Sequence, residues 1–224
     1  MVVACGAEQD TEVADDVIKK TSLVIEGTAT DKQSPWRRWN GAIDFYLAAQ
    51  SPPNLEKAAV AAADTWNRVL GKRILIYGGL VSSERGTDLY SSLEDDLTVI
   101  YYEDKWVKRT GKPRSTVATT IWETSNELPS FVHRGDIVLN GEAYFFEDTT
   151  DPSSTRISSS LIIDAETVLL HEMGHLLGLD HTTISSDSES IMLQQTHLGY
   201  GAYRRQVSAQ DREQLKQRYH DFDE

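Results

Sequence analysis

The chain holds a single cysteine, Cys5, among 224 residues. That scarcity excludes an intramolecular disulfide and leaves no Cys-x-x-Cys pair for metal or redox chemistry. Any metal site must therefore be built from histidines and carboxylates. Positive charge is also scarce: 22 Lys and Arg stand against 35 Asp and Glu, a net charge of -13. A surface of that sign repels phosphate backbones and anionic lipid, which argues against nucleic acid and bare membrane as partners. Long apolar runs are missing too, and the mean hydropathy is -0.42, so no transmembrane segment is expected. What remains is a length of 224 residues, enough for one large domain with a substantial core, expected as a monomer.

Residues 1–34 are polar and lack sustained periodicity apart from Thr21 to Gly27, so they are expected to form a leader or pro-like segment, partly disordered. The rest, 35–224, reads as one domain. A strand is predicted over Ala42–Ala48, and Ser51-Pro52-Pro53-Asn54 then offers cap and first-turn residues for a helix. Leu55, Ala59, Ala62, Trp66 and Val69 recur at steps of four and three, and Gly71 marks the stop. Further β-rich runs lie at Arg73–Tyr77, Leu97–Tyr102, Thr116–Trp122 and Asp136–Leu139, predicting a sheet of four or five strands with Thr116–Trp122 able to serve as an edge. Thr149–Ser160 reads as a surface loop.

The chemistry is concentrated after it. Asp164 can cap a helix over 165–177, on which Val168, His171, Glu172 and His175 share one side while Leu169, Leu170, Met173, Leu176 and Leu177 cover the other. Two imidazoles one turn apart can both reach a zinc ion at roughly 2.0–2.1 Å. Glu172 is too close in sequence to His171 to be a good further ligand, which leaves its carboxylate free as a base for a zinc-bound water. Gly178 falls where the helix must stop and turn. The turn redirects His181 toward the same metal, giving three protein ligands and an open fourth position, the mark of catalytic rather than structural zinc.

The run His171-Glu172-Met173-Gly174-His175-Leu176-Leu177-Gly178-Leu179-Asp180-His181 resembles the extended zinc-binding motif of the metzincin metallopeptidases. Ser190-Ile191-Met192 is similar to the turn in which that family places a methionine beneath its metal, and Gly135-Asp136-Ile137-Val138-Leu139-Asn140 to a strand of its matrixin-like branch. The resemblance covers roughly residues 36–222, with Val207-Ser208-Ala209-Gln210-Asp211 opening a last helix. It implies an α+β fold: a twisted, mostly parallel sheet, a backing helix and an active-site helix (upper part 35–178), and a small C-terminal subdomain ending in a helix (179–224). It also implies a zinc endopeptidase in which Glu172 is catalytic, His171, His175 and His181 bind one zinc, and Gly178 and Met192 support the site. Protein or peptide substrates would lie extended along Thr116–Trp122. Residues 193–206 would wall a pocket for an apolar residue just after the scissile bond. Matrixins usually carry two adjacent acids where this chain has Gln210 and Asp211, and a serine where it has Thr182.

Other readings stay open. Val2-Val3-Ala4-Cys5 resembles the lipobox of bacterial lipoproteins, which would anchor a secreted or cell-envelope protein through Cys5. The charged and apolar parts of a signal peptide do not precede it, and an ordinary thiol, or a cysteine that caps the zinc, are the alternatives. Asp148, Asp151 and Asp164 could serve a calcium ion, yet no calcium-loop spacing is visible and calcium is not predicted. His133, His197 and His220 are expected at the surface or satisfied in the core. A catalytically silent binding or adhesion protein would keep the same fold, and a peptidase of another clan would use Glu189 and leave His181 idle.

Overall fold

The computed structural model describes residues 38–124, 131–150 and 161–220, together with the backbone of Ser22–Val24. Cys5 and Asp151 lie outside these residues, as do most of the leader and of the Thr149–Ser160 loop.

The five predicted strands all form, and a sixth joins them. Strands β2 (Arg38–Trp39), β3 (Ile43–Ala48), β4 (Leu75–Val81), β5 (Thr98–Glu103), β6 (Ala118–Thr124) and β7 (Phe131–Asn140) make one sheet of order β2-β7-β5-β3-β4. All of these neighbours run parallel, and β6 pairs antiparallel with β7, Ala118 opposite Leu139. The sheet is thus mostly parallel with one antiparallel strand at the edge. The two-residue β2 is what takes it beyond the expected four or five. Strand β7 begins five residues before the predicted Asp136 because Phe131 and Val132 pair with β2 and Val132, Arg134 and Gly135 with β6, long-range partnerships that a run containing His133 and Arg134 does not advertise. A Cβ at Gly135 would press on the end of the Leu176 side chain and lie 3.3 Å from the Ile121 carbonyl oxygen.

Helix α1 (Asn54–Leu70) buries Leu55, Ala59, Ala62 and Trp66, the predicted stripe, and Gly71 ends it in the left-handed conformation. Its N-cap is Pro53 with no side-chain cap. Asn54 instead turns outward to donate from Nδ2 to the Phe146 carbonyl at 2.5 Å. Helix α1 packs on one face of the sheet beside α3 (Ala165–Leu176), and Trp66 Nε1 donates to the Leu170 carbonyl at 2.8 Å. The short α2 (Trp106–Thr110) covers the other face, where Val99, Tyr101, Trp106 and Val138 form a separate core. Two small ribbons complete the fold. Strand β8 (Phe145–Glu147) pairs parallel with β9 (Ile162–Asp164), and β1 (Ser22–Val24) pairs antiparallel with β10 (Gln195–His197). Helix α4 (Ala209–Arg218) closes the described residues, opened by a capping box between Ser208 and Asp211.

Candidate active site

Asp164 caps α3 as the sequence suggests: Oδ1 accepts from the Thr167 amide at 2.8 Å and hydroxyl at 2.7 Å. Its other oxygen accepts from the Thr149 amide and hydroxyl. The guanidinium of Arg205 bridges Asp164, Asp148 (2.6 Å) and Glu166 (3.0 Å). The Thr150 hydroxyl, with help from Arg205, holds the Asp148 carboxyl down to about 2. The two described acids weighed for calcium thus share one guanidinium with Glu166.

From its anchored start, α3 carries His171, Glu172 and His175 into the interior, all nearly fully buried. Leu177 caps the helix and Gly178 follows at φ +94°, its amide donating to the His175 carbonyl at 2.8 Å. Only glycine enters that backbone region without a Cβ clash. The reversal brings His181 back over the helix. His175 Nε2 lies 2.9 Å from His171 Nε2 and 3.0 Å from His181 Nε2, and one ring nitrogen from each lies within 4.8 Å of the others. Glu189, the ligand of the alternative arrangement, is exposed and outside this cluster.

Backbone carbonyls set the orientation of two rings. His171 Nδ1 is 2.7 Å from the Ile191 oxygen and His175 Nδ1 is 2.8 Å from the Leu179 oxygen. A carbonyl can only accept, so each Nδ1 carries the proton and each Nε2 presents a lone pair. Burial pushes the His171 imidazole down to about 3, with the His181 charge acting in the same direction, so it is neutral at ordinary pH. Two lone pairs facing each other at 2.9 Å repel unless a cation lies between them. A tetrahedral zinc with bonds of about 2.05 Å would hold two nitrogens about 3.3 Å apart, close to the two separations at His175, so the donor set fits zinc.

Met192 is fully buried against Gly174 of α3. Its turn hangs from Asp211, whose carboxylate accepts from the Ser190 hydroxyl at 2.7 Å and the Ile191 amide at 2.9 Å. The Met192 carbonyl accepts from the Thr182 amide at 2.8 Å, tying the His181 segment to the same turn. Sequence reasoning gave Asp211 only to the last helix. Its role under the histidines depends on a contact across 20 positions that no local pattern encodes.

Glu172 is fully buried. The hydroxyl of Thr120, on edge strand β6, lies 2.5 Å from its Oε2 and 3.0 Å from its carbonyl oxygen. With one proton to give, the hydroxyl donates along the shorter path, to the carboxylate. Thr120 was legible only as a member of an alternating strand. Of the remaining histidines, His133 lies 3.8 Å from Glu123, His220 Nδ1 contacts the Gln217 carbonyl, and His197, on β10, lines a cavity beside His171.

Comparison with known proteins agrees with this geometry. The sequence model of the Peptidase_M10 family, matrixin, matches residues 91–220. Among curated protein sequences none matches the chain. The chain is similar to metalloproteinase-II from Bacteroides fragilis at 14% identity and a TM-score of 0.49, covering 89% of this chain but only 58% of that one. It is also similar to myroilysin, at 12% identity and a TM-score of 0.44 over 88% of this chain and 91% of the other. A third likeness is to high choriolytic enzyme 1, a hatching enzyme zinc-protease from the medaka fish Oryzias latipes: 11% identity, TM-score 0.39, 86% and 99% covered. At such scores the structural likenesses carry no part of the assignment. The family match does: it spans more than half of the sequence and includes His171, Glu172, His175, His181, Met192 and Asp211. The chain belongs to the matrixin family of metallopeptidases.

Proposed function

We propose that the protein is a zinc-dependent endopeptidase that hydrolyses internal peptide bonds of proteins or peptides. The observation that carries this reading is the convergence of three imidazole Nε2 atoms, two of them with Nδ1 fixed on backbone carbonyls, beside a buried carboxylate. His171, His175 and His181 would hold the zinc. When bound, the metal supplies acidity to a water molecule and polarises the scissile carbonyl.

The chain's own residues do the rest. Glu172 takes a proton from the attacking water as its oxygen bonds to the carbonyl carbon, then returns it to the amine nitrogen as the C–N bond breaks. Thr120 holds the carboxylate in place for both transfers. A substrate in extended form would pair with the outer edge of β6, gaining main-chain hydrogen bonds as an added strand does. Within the same reading the protein works outside the cytoplasm, and lipid labelling of Cys5 against Cys5→Ser would decide whether it is anchored there.

The test is peptide cleavage by the purified chain beside Glu172→Ala and His181→Ala, with zinc content measured in all three and a chelator control. Expected are loss of cleavage in Glu172→Ala with zinc retained, and loss of zinc in His181→Ala. Zinc binding by the unaltered chain with no cleavage across a broad peptide library would overturn the peptidase reading in favour of a silent binding protein.

A further inference from the structure

A cavity of about 200 Å³ opens beside His171, between α3 and the chain returning from the Met192 turn. The family resemblance leads one to expect an apolar pocket here. The structure lines it differently. Ile191, Leu193, Ala202 and Tyr203 contribute apolar surface, but the wall also carries Thr167, Gln195, Thr196, His197 and Arg204.

Arg204 is the only Lys, Arg, Asp or Glu among the lining residues. Its position is fixed at two points: the backbone amide donates to Thr167 Oγ1 at 2.8 Å, and Nη1 donates to the Ser190 carbonyl at 2.7 Å. Both partners are neutral, and among the described residues no carboxylate pairs with it. Among the described residues, the acids that the fold places nearby are engaged elsewhere. Asp211 serves Ser190 and Ile191, and Asp148, Asp164 and Glu166 surround Arg205. A half-buried guanidinium with donors to spare thus stands in the wall of a polar cavity, in a chain of net charge -13. A planar fork of N–H donors held this way matches a carboxylate, and the pairing strengthens as the partner enters and excludes water.

We infer that this cavity selects a carboxylate-bearing side chain, aspartate or glutamate, at the substrate residue following the scissile bond, with Arg204 as the specificity-determining residue. The inference rests on the peptidase reading for its cleavage arm and on the cavity alone for its binding arm. A charge-assisted hydrogen bond in such a setting contributes enough to separate acidic from apolar substrates by about tenfold or more.

A proteome-derived peptide library, read by mass spectrometry, would first give the preferred context. Peptides differing only in Glu, Gln, Leu or Arg after the scissile bond then give ratios of kcat/KM. The zinc-loaded chain should favour Glu over Leu by about tenfold or more, with Arg poorest. Arg204→Met should remove that preference, and Arg204→Lys, which keeps a donor for Ser190, should retain part of it. A purely structural role for Arg204 would lower all the rates together and leave the ratios unchanged. Best cleavage with Leu, or a ratio that survives in Arg204→Met, would overturn the inference. Binding of the same peptides to zinc-loaded Glu172→Ala, followed by fluorescence anisotropy, separates the two claims. Acid-selective binding without turnover in the unaltered chain would sink the peptidase reading and leave the cavity's selectivity standing. Equal binding of the Glu and Leu peptides would sink the selectivity.

Discussion

Gly174 looks replaceable from sequence, because alanine is the better helix former by about 1 kcal/mol. The structure predicts the opposite outcome. A Cβ at position 174 would stand inside van der Waals contact with Met192 Sδ and 3.1 Å from both Met192 Cε and Trp66 Cζ2. Trp66 is fully buried and tethered through Nε1 to the Leu170 carbonyl at 2.8 Å, so it cannot swing aside. Met192 must therefore move, and its carbonyl also holds the Thr182 amide next to His181. Overpacking of this kind costs about 1–3 kcal/mol. Set against the helix gain, Gly174→Ala should lose about 1 kcal/mol net, or about 2–4 °C in Tm for a chain of this size. Urea denaturation monitored by tryptophan fluorescence gives the stability, and zinc titration gives the effect on the site. Met192→Ala should cost about 2–5 kcal/mol through its cavity. The double variant should lose less than the two singles combined, because the new methyl enters the space vacated by the thioether. A Gly174→Ala chain more stable than the unaltered protein, or singles that simply add, would refute the packing argument.

Three further outcomes follow from the same structure. Thr120→Val keeps the shape but removes the donor 2.5 Å from Glu172 Oε2; kcat/KM for peptide cleavage should fall by about ten- to a hundredfold with zinc content unchanged. Burial pushes the Asp136 carboxyl up from 3.8 to about 7, against the partial relief of a hydrogen bond from the Val99 amide. Between those values the folded state binds more protons than the unfolded one, so this group costs stability as pH rises from about 4 to 7. Asp136→Asn should therefore gain on the unaltered protein across that window, and parallel stability curves would contradict it. Arg205→Met strips the fully buried Asp164 of its counter-charge; the loss should be on the order of 3 kcal/mol by urea denaturation.

The parts of this protein legible in its sequence are those that repeat or cluster. The stripe from Leu55 to Trp66 announces α1, period-two alternation announces β6, and the His171–His181 run carries both the ligand spacing and the glycine that bends the chain. The illegible parts depend on partners far away in the chain. Strand β7 extends back to Phe131 because β2 and β6 are there to receive it. The pairing of Asp148 and Asp164 with Arg205 depends on a residue 41 positions beyond Asp164. Asp211 shows the same limit from the other side. The resemblance marks Gln210 as a departure at the first of two acids, whereas the second acid is the one that holds the methionine turn.

The ribbon of β1 and β10 joins Ser22 to His197, and it bears on the order in which the molecule can come into being. At roughly 5–20 residues per second, the two strands leave a ribosome some 10–35 s apart. Every histidine of the cluster, its methionine turn and the cavity wall follow β7, the last strand of the main sheet along the chain. The sheet can condense early around α1, while the centre that it supports has no parts to assemble from until synthesis has passed well beyond β7. A nascent chain of this protein is therefore structured long before it is competent.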